Sequence, residues 1–486
     1  MPYDDLRSFI DRLHKEGEII DVKFEVDCKY EIGAICRKAL WTGGIDRNKA
    51  LLFRKIKGYD TPVAANLIDS TRRYFMALDL PCDTPRPAFA EIWEKRISNP
   101  IKPKVVDYGP CKENILKGNE VDVSKFPVPI WNEKDGGPYI TLPCVITRDL
   151  HTGALNAGIY RSQVFNRNTI GLLAAPYRHF MLGASALKAG DKFPVAMVIG
   201  CDPSLYIAAA APLPYGTDEI DVAGGLRGAP VEMVRCETIP LEVPATSEIV
   251  IEGEMTVGEM MHEGPFGEFT GYYGEEGKRP FMEIKAITHR NNAIFQGCYE
   301  GRPNTCDSVL QILAHEAEVK RKLDGEHKPF LKALSIPHYG TMMLAVASIR
   351  KQYDGQAKVI GHAIVSSFPT ARWMKILILV DEDIDPYNIE EVLWAVATRS
   401  NFEQDLELIR NVTGNSLDPS MPLREKENRT LRHCKIMIDA TKPVRHDPEK
   451  PIPKECMPKK EIWDRIEDLW AKCTTESNPG DSRGNK

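Results

Sequence analysis

Between residues 4 and 15 the apolar side chains Leu6, Phe9, Ile10 and Leu13 recur at intervals of three and four, which predicts an amphipathic helix stopped by Gly17. A strand over 18–26 follows, then a helix over 32–41, strands over 50–56 and 62–68, and a helix over 87–97. This alternation predicts an α/β domain. Phe126-Pro127-Val128-Pro129 and Gly136-Gly137-Pro138 mark a linker and a turn. Beyond Tyr139 the pattern changes to β-rich runs at 139–147, 194–199, 248–252 and 281–288, broken by glycine and proline, as in a mainly β domain of barrel type. Helical periodicity returns at 307–323. Strand 341–349, helix 356–366, strand 375–380 and helix 389–399 then predict a second α/β domain. A last amphipathic helix over 461–471, able to dock on a neighbouring subunit, precedes a polar tail expected to be disordered from Thr474. The fold class read from this pattern is α/β (α+β multidomain), with boundaries 1–115, 116–305, 306–458 and 459–486.

Composition narrows the class. A chain of 486 residues is too long for one core. A net charge of −6 with interspersed signs offers no basic stripe, which disfavours nucleic acid and anionic membrane as partners. No apolar run is long enough to span a bilayer, and Met1-Pro2-Tyr3-Asp4-Asp5 lacks the order of a signal peptide, so a cytoplasmic protein is expected. The 12 cysteines contain no C-x-x-C pair, the pattern of reduced thiols rather than a disulfide or zinc framework. P-loop, H-E-x-x-H and G-x-S-x-G motifs are absent, and Gly224-Gly225-Leu226-Arg227-Gly228 is not the dinucleotide fingerprint.

The densest chemistry lies in His262-Glu263-Gly264-Pro265-Phe266-Gly267-Glu268-Phe269-Thr270-Gly271-Tyr272-Tyr273. Glu263 and Glu268 stand five positions apart, an odd spacing that would send them to opposite faces of a strand. They converge only if the chain turns, and Gly264-Pro265 with Gly267 supplies that turn. Phe266 and Phe269 would exclude water there, which raises a carboxyl pKa towards the range of general acid-base work. An acidic hairpin tip in solvent has the same spacing.

Upstream, Asn156, His179 and Glu219 offer an amide oxygen, an imidazole and a carboxylate, a mixed O/N set suited to Mn²⁺ or Mg²⁺. Such an ion, with open positions left over, would bridge to a phosphate. Arg161 is a forked cation able to hold a carboxylate bidentately. Each residue alone has a structural explanation: Asn156 in a turn, His179 in a helix, Glu219 as solvated charge.

Asn156 to Arg161, Arg178-His179, Glu219 with its Ala-Gly-Gly-Leu-Arg-Gly continuation, and Glu263 to Tyr273 resemble, in this order and spacing, the UbiD family of reversible aromatic and acrylic acid (de)carboxylases. The likeness covers nearly the whole chain, including 131–139, 299–303, 380–399 and 435–441, and is nearest to the large catalytic subunits of phenolic acid decarboxylases.

The resemblance implies an N-terminal α/β domain, a central split β-barrel binding flavin, and a C-terminal α/β oligomerisation domain. It implies prenylated FMN, contacted by Asn156, Gly158, Ile159, Tyr160, Arg161, Arg178, His179, Ala211, Pro212 and Glu219. Mn²⁺ (or Mg²⁺) would sit on Asn156, His179 and Glu219, with K⁺ nearby. Ala208 to Ala211 stand where some relatives carry serines and a methionine, so a K⁺ ion would draw its ligands from backbone carbonyls. Arg161, Glu263 and Glu268 match the family's catalytic network. Implied partners are a small aromatic carboxylic acid and CO₂, a flavin prenyltransferase that supplies the cofactor, and further copies of the chain in a homodimer or homohexamer. An oxidoreductase using ordinary FMN, or a non-catalytic subunit of a decarboxylase complex, are the alternative readings.

Overall fold

The computed structural model describes residues 3–174, 178–302, 305–323, 325–367, 370–427, 430–444, 455–456 and 458–476. One compact unit comprises Met1–Lys351 with Gly355–Thr441, and a second comprises Gln352–Asp354 with Lys442–Lys486.

The first helix, Leu6–Lys15, starts at a capping box in which the Asp5 side chain accepts from the Ser8 N–H, and Gly17 at φ +66° ends it. Strands Ile19–Val26, Ala50–Ile56 and Val63–Ala65 pair in that order, and Phe295–Gly297 from far along the chain completes the sheet. The strand expected over 62–68 is shorter because Asn66 turns to φ +59°. The helix Thr71–Ala77, capped by Ser70, went unread because it is too short to display a period.

Nine strands among the described residues form the central sheet. Its path runs Tyr139–Ile140, Ser162–Asn166, Thr169–Gly171, Phe281–His289, Ile249–Thr256, Lys192–Ile199, Cys144–Arg148 and Leu155–Ile159, with Asn114–Lys117 paired to Phe281–His289. It curls into a half-barrel. Its middle strands read as unbroken apolar runs because both faces are covered: Ala196 and Val198 pack into one core, while Val195, Met197 and Ile199 pack into the other. Each of the valine, methionine and isoleucine side chains contributes about 1.5–3 kcal/mol on burial. The run expected at 139–147 is two strands, interrupted at 141–143 where Pro143 lacks a donor.

Two helices lie inside what the pattern suggested was mainly β. Pro203–Ala210 is capped by Asp202, and Glu219–Arg227 is capped by Asp218, which accepts from the Ile220 and Asp221 N–H groups. Both pack on the Leu155–Ile159 strand, and this places their ends beside it.

After the helix Cys306–Lys322, a mixed five-stranded sheet follows in the order Leu331–Ser335, Leu344–Ile349, Ile376–Asp381, Arg432–Ala440 and Leu406–Thr413. The strand expected from residue 341 begins at Leu344, because Thr341 and Met342 both adopt positive φ. Helices Gln356–Ser366 and Ile389–Arg399 have the bounds expected. In the second unit, Lys460–Glu476 is a helix with Ile462, Trp463, Ile466, Leu469 and Trp470 exposed. The tail expected to be disordered from Thr474 is therefore helical to Glu476; its remainder, 477–486, lies outside the described residues, as do Tyr177 and Pro303 of the motif segments. No described helix is long and apolar enough to cross a membrane.

Candidate active site

Arg161 stands between the strands Leu155–Ile159 and Ser162–Asn166, and both glutamates come to it. Glu263 ends the short strand Met261–Glu263; Gly264, at φ +99°, reverses the chain, and Phe266–Gly267 pairs with Tyr273–Gly274 before Glu268. The guanidinium meets Glu263 through Nε to Oε1 at 3.1 Å and Nη2 to Oε2 at 3.0 Å, while Nη1 contacts Glu268 Oε1. Three of its five N–H donors are thus engaged, and one remains on each Nη nitrogen. Both carboxylates are buried, Glu263 at 1% and Glu268 at 6% exposure, so the acidic turn is not a solvated hairpin tip. The partly buried Arg161 cation offsets one of the two negative charges and hydrogen-bonds both carboxylates. The Phe266 ring lies 5.0 Å from the guanidinium carbon, a cation–π contact. Phe269 instead reaches the C-terminal sheet region and packs edge-on to Trp373 with centroids 5.2 Å apart.

Sequence reasoning missed the residues that hold this ion pair from behind. The Tyr139 hydroxyl lies 2.9 Å from Glu263 Oε1 and 3.1 Å from Gln163 Oε1. Burial and the neighbouring Glu263 push the Tyr139 pKa far up, so it remains a donor. Gln163 Oε1 also accepts from the Gly264 N–H at 3.0 Å. The signal that could have found them was positional: Tyr139 follows Gly136-Gly137-Pro138, and Gln163 stands two residues beyond Arg161.

On the other side of Tyr160 lies the O/N set. Glu219 is the buried first residue of its helix; its Oε2 accepts from the Ala157 N–H at 2.9 Å, and Oε1 faces His179 Nδ1 at 3.4 Å. Burial raises the Glu219 pKa, opposed by His179 and the Ala157 N–H. Asn156 is buried on the adjoining strand beside the Tyr160 hydroxyl, where its Nδ2 makes no well-formed hydrogen bond. A buried amide, an imidazole and a carboxylate whose Oε1 meets that imidazole are donor types that fit a hard divalent ion. Among the described residues no group of three or more His, Cys, Asp or Glu could hold a metal, so the amide is needed to complete the set.

Gly158 is buried, and a Cβ there would come 2.7 Å from the Tyr160 ring, so glycine is required for that ring to fold back. Ile159 is half-buried and Tyr160 buried against Phe180, with centroids 5.5 Å apart. Arg178 is exposed, its guanidinium carbon 6.0 Å from the Tyr160 ring centre. Ala211 ends the helix Pro203–Ala210 and Pro212 is buried beyond it. The Ala208 carbonyl accepts from the Ala211 N–H, and the Ala211 carbonyl accepts from the Leu213 N–H. With no side-chain oxygen in Ala208–Ala211, each carbonyl keeps one lone pair, and this stretch does not fit a monovalent ion as well as the O/N set fits a divalent one.

Residues 10–93, 104–303 and 308–440 match, in that order, the N-terminal, Rift-related and C-terminal domains of 3-octaprenyl-4-hydroxybenzoate carboxy-lyase. The chain is 34% identical over 455 residues to the phenolic acid decarboxylase of Bacillus subtilis (strain 168), covering 91% of this chain and 93% of that protein. It is similar in structure to HmfF from Pelotomaculum thermopropionicum in complex with FMN, with TM-score 0.83 and 33% identity over 94% of this chain and 98% of that one. The vanillic acid decarboxylase of Sedimentibacter hydroxybenzoicus in open form gives TM-score 0.84 and 32% identity over 97% of this chain and 100% of that one.

Proposed function

Because the chain belongs to the UbiD family of prenylated-FMN-dependent decarboxylases, we propose that it removes CO₂ reversibly from a phenolic or heteroaromatic carboxylic acid, with Arg161, Glu263 and Glu268 as its catalytic residues. The observation that carries this assignment is the convergence of two buried glutamates on one arginine that keeps a free N–H on each Nη nitrogen. A hydride-transferring flavoenzyme has no use for such a carboxylate clamp, and a non-catalytic subunit has no use for any of the three.

Loss of CO₂ from a ring carbon leaves an electron pair that no side chain can delocalise; the prenylated flavin, when bound, supplies that electron sink. In our reading Asn156, His179 and Glu219 would hold Mn²⁺ or Mg²⁺, which would supply positive charge for the cofactor's phosphate, and Gly158, Ile159, Tyr160, Arg178, Ala211 and Pro212 would line its place. Potassium is assigned no step. Arg161 receives the substrate carboxylate on its two remaining N–H groups and orients the bond to be broken. Glu263, held by Tyr139, fixes the plane of the guanidinium. Glu268 delivers a proton to the carbon that CO₂ has left, and in the carboxylation direction it removes that proton.

Four further elements complete the proposal. A flavin prenyltransferase supplies the cofactor. The enzyme works in the cytoplasm. The domains have the boundaries 1–115, 116–305 and 306–458. Residues 459–486 include a helix that joins subunits into a homodimer or homohexamer. Arg178 beside His179 favours a ring hydroxyl or heteroatom as its partner over the bare alkene of cinnamate. Cofactor-loaded protein is tested on cinnamate, mono- and dihydroxybenzoates and heteroaromatic acids, with CO₂ release measured. Turnover is expected on the phenolic or heteroaromatic acids; fast turnover of cinnamate alone would refute the assignment.

A further inference from the structure

Behind the turn that carries both glutamates runs the loop 132–136, and one side chain in it grips two strands of backbone. Asp135 Oδ1 accepts from the Gly267 N–H at 2.8 Å, and Oδ2 accepts from the Asn132 N–H at 2.8 Å. The Asp135 N–H donates back to the Asn132 carbonyl at 3.1 Å, so the carboxylate closes its own loop while it holds the opposite one. A second tie runs alongside, from the Gly136 N–H to the Pro265 carbonyl at 2.8 Å. Gln163 Nε2 donates to the Gly136 carbonyl at 2.8 Å and so locks this loop to the strand beside Arg161. The fit leaves no slack: a Cβ on Gly136 would collide with the Gly264 carbonyl, and one on Gly267 with the Asn132 amide.

We propose that Asp135 is a positioning residue for the decarboxylation: by holding the Gly267 N–H it fixes where the next residue, Glu268, presents its carboxyl to Arg161 and to the reacting carbon. This rests on the reading of Glu268 as proton donor. Asp135 bonds the residue before Glu268 and has no direct part in the chemistry. Its effect is exerted through a backbone hydrogen bond, where a misplacement well under 1 Å is enough to cost rate.

The same clamp sets a pH limit. The ionised carboxylate accepts at both oxygens, whereas a protonated one turns an O–H towards an N–H and loses one of the two bonds. The groups facing Asp135 are Arg161 after the strand Leu155–Ile159, Tyr139 on the strand Tyr139–Ile140, and Tyr299 beyond Phe295–Gly297; Glu263 and Glu268 on the turn share the single Arg161 cation. Burial outweighs the Arg161 cation and three backbone donors and pushes the Asp135 pKa up to about 6. The clamp is therefore whole above that pH and loosens below it.

The test uses the cofactor-loaded enzyme. Asp135→Asn is expected to lower kcat roughly tenfold or more with KM changed less than about twofold and flavin content unchanged, since positioning of the donor is lost and binding is not. The acid limb of the wild-type kcat profile near pH 6 should be absent in Asp135→Asn. In wild-type protein, hydrogen-exchange protection at the Gly267 amide should fall as pH is lowered from about 7.5 to about 5.5, while protection in Lys192–Ile199 does not change. Wild-type kcat with an intact acid limb in the variant, or Gly267 protection that is indifferent to pH, overturns the proposal. Should Asp135→Asn lose its flavin through misfolding, the wild-type exchange experiment decides alone. Full turnover by Glu268→Gln would sink the proton-donor reading, and the Gly267 exchange would still report separately whether the clamp exists.

Discussion

Arg161 and Glu263 meet side-on through two parallel hydrogen bonds of 3.1 and 3.0 Å, on a carboxylate that is 1% exposed. A pair this buried is stable only while both partners are charged and joined, and removing one strands the other. Arg161→Met is expected to destabilise the fold by roughly 3–5 kcal/mol and abolish turnover. Glu263→Gln retains an oxygen for Arg161 and should fold, with turnover and flavin positioning both impaired. Thermal melts and flavin spectra check the two outcomes.

Gly274 lies against the other half of the network: a Cβ there would stand 3.0 Å from Glu268 Oε1 and 3.3 Å from Arg161 Nη1. Gly274→Ala must shift these atoms by a few tenths of an ångström. Turnover should fall roughly tenfold with the melting temperature nearly unchanged, because misplacing catalytic groups costs rate before it costs stability. Wild-type kcat in Gly274→Ala would mean that the Arg161–Glu268 contact tolerates displacement.

The architecture was open to sequence reasoning wherever local pattern decides it. The helices Leu6–Lys15, Gln356–Ser366 and Ile389–Arg399 follow from periodicity and caps. Pro203–Ala210 and Glu219–Arg227 were hidden because a helix buried all round has no polar face to display a period; seven of the nine residues in Glu219–Arg227 are buried. In the site, the turn at Gly264 was legible from glycine and proline. Tyr139 and Gln163 were marked only by position and Asp135 not at all, since each acts across 100 residues or more of intervening chain.

Removing the divalent ion should separate cofactor from protein. In the proposed site Glu219 has one oxygen on the Ala157 N–H and the other facing His179, so an ion bound there would tie the strand and both helices to the cofactor. Dialysis against a chelator is expected to release flavin, measured by absorbance in the filtrate, and Mn²⁺ should restore retention. Flavin that stays bound after complete metal removal would argue against Asn156, His179 and Glu219 as the site.

The helix Lys460–Glu476 exposes Ile462, Trp463, Ile466, Leu469 and Trp470. An apolar stripe of this kind is stable when covered by another surface. Truncation after Pro458 is expected to lower the oligomer mass measured by light scattering, and an unchanged mass would remove this helix from the assembly.

Glu268 supports the most demanding prediction. Its carboxylate contacts Arg161 Nη1, one of the two nitrogens whose second N–H is left for substrate, so donor and clamp are fixed relative to one another. Glu268→Gln keeps the shape and an acceptor for Arg161 but has no proton to transfer. Turnover should fall by roughly the 10²–10⁴-fold that general acid-base catalysis contributes, with flavin content unchanged. A rate loss alone could reflect altered packing, whereas isotope incorporation reports the proton itself. In D₂O the wild-type enzyme should place deuterium at the vacated carbon and slowly exchange the same hydrogen in isolated product, because the donor in one direction is the base in the other. Glu268→Gln should lose both reactions together, while Glu263→Gln should slow both without separating them. If Glu268→Gln exchanges product hydrogen at the wild-type rate, the proton reaches carbon by another route, and Glu268 is left as a second anchor for Arg161.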